Sequence, residues 1–190
     1  MDLSVVIVSW NVRELLATCL DSVLSSLASA GLECEVFVVD NASSDGSPLM
    51  VRERFPRVHL QSNEDNVGFA AANNQAIAEA VGRCVALLNP DTVVRDGALG
   101  TLLQFMDQTP SSGMAGPRLI YEDGSFQHSA FRFPSLAQTF LDLFPVHHRL
   151  YDSRLNGRYP RSLYASGRPF AIDHPLGACM MVRREVIEQV

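Results

Sequence analysis

Three short apolar runs, at residues 3–9, 35–39 and 84–88, and a weaker strand pattern at 58–61 each end in a polar turn and alternate with helical patterns. Runs of this length, rich in Val, Ile and Leu, read as strands buried on both faces. Between them the helical stretches are clear. Leu16, Leu20, Val23 and Leu27 share one face of a helix at 12–29, widened by Cys19 and Leu24 and closed by Gly31. Asn11 suits its N-cap, with Glu14 at the capping-box position. Further helices are expected at 47–54, at 69–81 and, capped by Asp96, at 97–108. Strand, helix, strand with short connections predicts an α/β fold: a mostly parallel, Rossmann-like sheet with right-handed crossovers and helices on both faces.

After the fourth helix the pattern loosens. Residues 114–121 read as a strand and 122–125 as a hairpin turn. From 126 to 170 there is only a short helix at about 135–143, then short strands at 171–174 and 178–182 and a helix beginning at Arg184. Long irregular segments in compact domains are usually functional or mobile. The last residues, Glu188-Gln189-Val190, stop partway along an amphipathic pattern, so the chain is expected to be a fragment.

Composition narrows the classes. A length of 190 residues, 47% hydrophobic and 19% charged, suits one soluble domain with a substantial core, with two small ones as the alternative. No apolar run is long enough to span a bilayer and no basic n-region opens the chain, which makes the cytoplasm the expected location. Cys19, Cys34, Cys84 and Cys179 are far apart and read as buried free thiols. His147-His148 has no third ligand nearby, which argues against zinc. A net charge of −6 argues against a general nucleic-acid binder. That charge is uneven: residues 1–125 hold 16 acids and 7 arginines, whereas 126–170 hold 2 acids and 6 arginines. The apolar segment 140–151 with its basic end is a candidate for contact with a membrane surface or a lipid-linked acceptor, with core packing or disorder as the plainer reading.

Three strand ends carry polar residues on one side of such a sheet: Ser9-Trp10-Asn11, Asp40-Asn41 and Asn89-Pro90-Asp91. Ligands of open α/β sheets bind beyond the carboxyl ends of the strands. A carboxylate there suits a hard cation, and such a cation suits phosphate. Asn-Pro-Asp is also ordinary turn chemistry, and Trp10 is open between packing and a platform for a ligand. A dinucleotide-binding dehydrogenase would need a Gly-x-Gly-x-x-Gly turn after the first strand, where this chain has Ser9-Trp10-Asn11-Val12-Arg13. A nucleotidyltransferase would want an early phosphate loop rich in Gly and Lys, and the chain has no Lys.

Five ordered motifs carry a resemblance. Val-Val-Ile-Val-Ser-Trp-Asn (5–11), Val-Val-Asp-Asn-Ala-Ser-Ser-Asp-Gly-Ser (38–47), Asn-Val-Gly-Phe-Ala-Ala-Ala-Asn-Asn (66–74), Leu-Leu-Asn-Pro-Asp-Thr (87–92) and Gly-Ala-Cys-Met-Met-Val-Arg-Arg (177–184) resemble those of family 2 glycosyltransferases, and within them the rhamnosyltransferase-like branch. The resemblance implies a GT-A fold and inverting transfer of a sugar, rhamnose from dTDP-rhamnose by branch, from a nucleoside diphosphate donor to a glycan or lipid-linked acceptor of the cell surface. It places Ser9 against the nucleoside and Asp40 on the base or ribose. Asp45 and the loop Asn66–Gly68 wall the pocket, Gly177 and Ala178 lie near the donor sugar, and Asn11 and Asn74 join the same binding set. Asp91 matches the acid that holds Mg²⁺ or Mn²⁺ on the diphosphate, while Asn89 occupies the first acidic position of that motif.

By the same resemblance, residues 1–125 form the donor-binding half, and 126–190 form the connection and the beginning of the acceptor-side region within one domain. The catalytic base of the family lies in an acidic motif downstream of the Gly-Ala-Cys block, past the end of this sequence, so neither Asp173 nor Glu185 is assigned to it. His128 and Arg132 sit where the family approaches donor phosphate or acceptor, though a structural role weighs more for each. Location at the inner face of the plasma membrane follows from a lipid-linked acceptor. The alternative is a non-catalytic nucleotide-sugar-binding or interaction fragment.

Overall fold

The computed structural model describes residues 1–144 and 156–189. His147, His148 and the latter half of the segment 140–151 lie outside them. Contacts divide the chain into two units, Met1–Ala115 with Gly177–Val190 and the intervening Gly116–Leu176.

The first unit runs β1 (Leu3–Ser9), α1 (Arg13–Ala30), β2 (Cys34–Asp40), α2 (Ser47–Arg54), β3 (His59–Ser62), α3 (Phe69–Glu79), β4 (Cys84–Leu88), α4 (Ala98–Gln108) and β5 (Met114–Ala115). The second holds β6 (Leu119–Ile120), β7 (Phe126–Gln127), β8 (Ala130–Phe131), α5 (Leu136–Leu143), α6 (Arg161–Ala165) and β9 (His174–Pro175). The chain then returns to the first unit with β10 (Cys179–Arg183) and α7 (Arg184–Ile187).

The main sheet has the order β3-β2-β1-β4-β10-β5. The first four strands are parallel; β10 runs antiparallel between β4 and β5. All seven positions of β1 are buried, as its double-sided environment requires. Alternation sends Leu3, Val5 and Ile7 to one face, where Leu16, Leu20 and Val23 of α1, Met50 of α2, and Leu99, Leu103 and Met106 of α4 complete a core. Val6 and Val8 face the other way, against Ala72 and Ala76 of α3. Each fully buried Leu or Met in these layers contributes about 1.5–3 kcal/mol. Helices thus cover both faces, as the alternation of patterns predicts.

At the end of α4 the arginine of β10 replaces a conventional cap. Arg183 donates from Nε to the Ser112 carbonyl (2.8 Å) and from its terminal nitrogen to the carbonyls of Thr109 (3.1 Å) and Met106. A cation on the last carbonyls of a helix also meets the negative end of its dipole.

Several local expectations are corrected. Asn11 does not cap α1: it takes a left-handed backbone, φ 54°, and Val12 is the N-cap residue, without a side-chain bond. Asp96 does not cap α4, because Gly97 occupies that position and Asp96 accepts from Ser25 Oγ instead (3.4 Å). The strand expected at 114–121 is two strands, β5 and β6, parted around Pro117, which has no N–H for a ladder. The one expected at 171–174 is only the two-residue β9.

In the second unit, β6 and β7 form the expected hairpin across 122–125, with Asp123 accepting from the Ser125 N–H (2.8 Å). β8 pairs with β9, and the buried Tyr164 hydroxyl accepts from the Ala130 N–H (3.1 Å) and donates to its carbonyl (3.3 Å). No helix among the described residues is long and apolar enough to cross a membrane.

Candidate functional site

Strand order reverses at β1: β2 and β3 lie to one side, β4 to the other. A crevice beyond the carboxyl ends of the strands at such a switch point is the usual ligand site of open α/β sheets. The residues at these ends form two groups.

The first group grows from β1 and β2. Ser9 and Asp40 are register partners at the two strand ends, 0% and 1% exposed. Asp40 Oδ2 accepts from the Ser43 N–H (2.9 Å), but Asp40 Oδ1 and Ser9 Oγ are buried with no hydrogen-bond partner among the described residues. Buried polar atoms are almost always paired, so two adjacent exceptions need a cause.

Around them the loops are held by side chains. Asn41 N–H donates to the Ser9 carbonyl (2.8 Å), and its amide links Asn63 Nδ2 (2.9 Å) to the Gly68 carbonyl (3.4 Å). Ala42 then adopts φ 62°, a left-handed conformation costly for a residue with a Cβ. Asn66 Oδ1 accepts from the Gly68 N–H (3.0 Å), and Gly68 has φ 87° and ψ 164°, a region open essentially to glycine alone.

Asn11 and Asp45 join this group by tying the β1 and β2 loops together. Asn11 Oδ1 accepts from the Ser44 N–H (2.8 Å), and its own N–H donates to Ser43 Oγ (2.9 Å). Asp45 accepts from the Arg13 N–H (2.8 Å) and from the N–H (2.9 Å) and hydroxyl (2.6 Å) of Ser47. It therefore satisfies donors at the starts of both α1 and α2, and at α1 this is the service expected from Asn11. Burial pushes the Asp45 carboxyl up, but the bonds from Ser47 and Arg13 outweigh it and hold the group below its ordinary range. A carboxyl lowered on folding stabilises above its ordinary range and loses that contribution as the pH falls through the lowered value. Asp45→Ala is expected to cost about 1 kcal/mol at neutral pH, the ordinary value of such a cap. Urea melts of both proteins should converge in strong acid.

The second group lies past β4. The Asn89 N–H donates to the Ala178 carbonyl (2.9 Å), which also receives Thr92 Oγ1 (3.4 Å). The turn after β4 is thereby fastened to the residue before β10, and Gly177, Ala178 and Asn89 come together. Asp91 stands exposed on this turn with no hydrogen bond or ion pair among the described residues. Burial, then the nearby Asp91 charge, pushes the Cys19 thiol of α1 up to about 12, so it stays protonated. No cluster of three or more His, Cys, Asp or Glu among the described residues could hold a metal without help.

The remaining residues separate. Asn74 is exposed on α3, whereas its neighbour Asn73 is buried and donates to the Phe69 carbonyl (2.8 Å). Trp10 is more than half exposed, which removes packing as its role, and Val67 and Phe69 are also exposed. His128 and Arg132 belong to the other unit, where His128 sits edge-on to Phe126 (4.7 Å) and Arg132 lies over the Tyr159 ring (5.5 Å). Sequence reasoning gave no role to Asn63, and Asn41 only a place at a strand end. The signal was there: each is an amide in the short polar stretch that follows a strand.

Comparison with known proteins gives concordant matches. The family model described as "Glycosyl transferase family 2" matches residues 4–190. An "N-acetylglucosaminyl-diphospho-decaprenol L-rhamnosyltransferase" of Mycobacterium tuberculosis is 30% identical over 187 residues, covering 86% of this chain and 58% of that protein. The chain thus spans somewhat over half the length of that relative. A "Putative teichuronic acid biosynthesis glycosyltransferase TuaG" of Bacillus subtilis is 32% identical over 126 residues, 64% of this chain and 49% of that one. Among solved structures, Staphylococcus aureus TarS 1–349 in complex with UDP-GlcNAc superposes with a TM-score of 0.58 at 23% identity, over 69% of this chain and 38% of that one. Mannosyltransferase PcManGT from Pyrobaculum calidifontis, in complex with GDP-Man and Mn²⁺, gives a TM-score of 0.57 at 21% identity, over 98% and 46%. The shared fold is the GT-A glycosyltransferase type.

Proposed function

The chain belongs to glycosyl transferase family 2, and from that premise we propose that the carboxyl edge of β1, β2 and β4 binds the nucleoside diphosphate of a sugar donor. The carrying observation is the buried pair Ser9 Oγ and Asp40 Oδ1, a hydroxyl and a carboxylate oxygen left for a ligand's polar groups at the switch point. Nucleosides supply matching N–H and O–H donors. The exposed Trp10 ring beside Ser9 gives an apolar platform for a base. Asn11, Asp45, Asn66 and Gly68 shape the wall, and Asn89, Gly177 and Ala178 lie on the side toward the diphosphate and sugar. Asn74 belongs to the outer rim.

The whole protein, on this reading, transfers the sugar with inversion to a cell-envelope glycan or a lipid-linked acceptor at the cytoplasmic face of the membrane. The rhamnosyltransferase among the relatives favours a dTDP-rhamnose donor. Inversion requires a carboxylate base near the acceptor hydroxyl, a role given to none of the residues above.

The donor set around Asp91 fits a divalent cation that brings its own oxygen ligands. One exposed, unpaired carboxylate suits Mg²⁺ or Mn²⁺, which commonly use one or two carboxylates with substrate phosphates and water. The cation, when bound, neutralises charge that builds on the departing diphosphate. Asp91 would hold it, with the Asn89–Ala178 bond keeping the turn in place.

A thermal-shift comparison with UDP, dTDP and GDP, with and without Mn²⁺, tests the reading. Metal-dependent stabilisation is expected, about 2–3 kcal/mol at a hundredfold excess over Kd. Asp91→Ala should abolish the metal dependence and leave the ligand-free melting temperature unchanged, because the side chain is exposed and unpaired. Full metal dependence in that variant would remove Asp91 from the site.

A further inference from the structure

The Gly116–Leu176 unit carries an apolar face that its own packing does not use. Helix α5 starts at Ser135, whose Oγ accepts from the Gln138 N–H (3.2 Å). Gln138 turns toward Gly157, where a Cβ would lie 2.5 Å from its Oε1. Leu136, Phe140, Leu143 and Phe144, spaced at i, i+4, i+7 and i+8, are outside instead, as is Phe133 just ahead of the helix; all five are 56–92% exposed. The Phe140 and Phe144 rings sit 5.0 Å apart and form one surface. Five large apolar side chains within twelve residues exceed the scattered exposure normal for a protein surface.

Charge identifies the occupant. Residues 126–170 hold 6 arginines against 2 acids, and the Gly116–Leu176 unit as a whole holds 7 against 5, in a chain whose net charge is −6. Arg132, next to Phe133, and Arg161 and Arg168 of the same unit are exposed. A second copy seated on this face would set arginines against arginines across a two-fold axis. An anionic surface meets no such repulsion, and apolar insertion plus basic charge is the two-signal combination that holds a protein on a bilayer.

We propose that Phe133, Leu136, Phe140, Leu143 and Phe144, with Arg132 beside them, dock on an anionic lipid bilayer, the apolar side chains entering the boundary between headgroups and acyl chains. This contact does not depend on the donor site. It is tested by vesicle flotation of the whole chain, using phosphatidylcholine alone or with about 30% phosphatidylglycerol, at low and high salt. Binding is expected on the anionic vesicles, weakened by salt and poor on phosphatidylcholine. The double variant Phe140→Ser/Leu143→Ser, both at exposed positions, should lower it roughly tenfold or more. Circular dichroism and nucleotide binding of that variant should match the parent, which separates this contact from the donor reading. The proposal is overturned if the parent ignores anionic vesicles or if the double variant floats equally well. It also fails if sedimentation without lipid shows the parent to be a dimer that the double variant dissociates.

Discussion

Asp40→Asn is expected to weaken nucleoside diphosphate binding about 10–100-fold while leaving the ligand-free protein as stable as before, or slightly more so. The two halves of this result have different causes. In the free protein the carboxylate is 1% exposed and accepts one bond, from the Ser43 N–H, with Oδ1 unpaired. An amide keeps an acceptor for Ser43 and removes a buried charge, so its cost is small or favourable. With ligand bound, Oδ1 gains a donor, and a hydrogen bond to a charged group contributes about 1.5–3 kcal/mol, which sets the fold-change. Calorimetric titration with UDP and dTDP, run beside melting curves, reads both. Unchanged affinity would show that Asp40 is a loop anchor rather than a ligand contact. Ser9→Ala, at the register partner, should give the same pattern with a smaller loss because its hydroxyl is neutral.

Gly82→Ala should cost about 3 kcal/mol and lower the melting temperature by about 6–12 °C. The loop before β4 crosses β1 so closely that a Cβ on Gly82 would lie 2.5 Å from Ser4 N, 2.6 Å from Ser4 Oγ and 2.7 Å from the Leu3 carbonyl carbon. Backbone of a central strand cannot step aside as a flexible side chain can. The hydroxyl in the way is also committed: Ser4 Oγ donates to Glu35 Oε1 (2.5 Å) and accepts from the Gly82 N–H (2.8 Å), while the Val81 N–H donates to the same carboxylate oxygen (2.7 Å). Ser4→Ala removes the two bonds of the hydroxyl without adding volume and leaves the buried Gly82 N–H unpaired, at a cost of about 1–3 kcal/mol. A Gly82→Ala protein that melts with the parent would mean that the loop can move off β1.

The sequence reads well wherever the determinants are local. The Val- and Ile-rich runs announce β1 and β2, the apolar run 85–88 announces β4, and the 3.6-residue apolar spacing announces α1, with Gly31 ending it in the left-handed conformation. The strand-end positions of Ser9, Asp40 and Asn89 are legible because they close those runs. Reading failed where a distant segment took over a local role. Asp45, thirty-two positions away, supplies the bond at the start of α1 that Asn11 is well placed in sequence to provide. Asn41 looks like one more turn residue, and only the fold reveals it as the brace between β1, Asn63 and Gly68. The place of β10 is the plainest case: its own five residues suggest a strand but carry no mark of which neighbour, or which direction, it will take.

That placement has a consequence for how the protein is made. Leu88 of β4 pairs with Cys179 of β10, a partner synthesised roughly ninety residues later, which at ribosomal speed is about 5–20 s. The strands β3, β2, β1 and β4 can assemble through their own crossovers during that interval. Throughout it, β4 presents an apolar edge with unpaired backbone groups, the feature that invites pairing with another nascent chain. The nascent protein is therefore most open to aggregation, and to capture by a chaperone, after β4 has emerged and before Cys179–Arg183 arrives to close the edge.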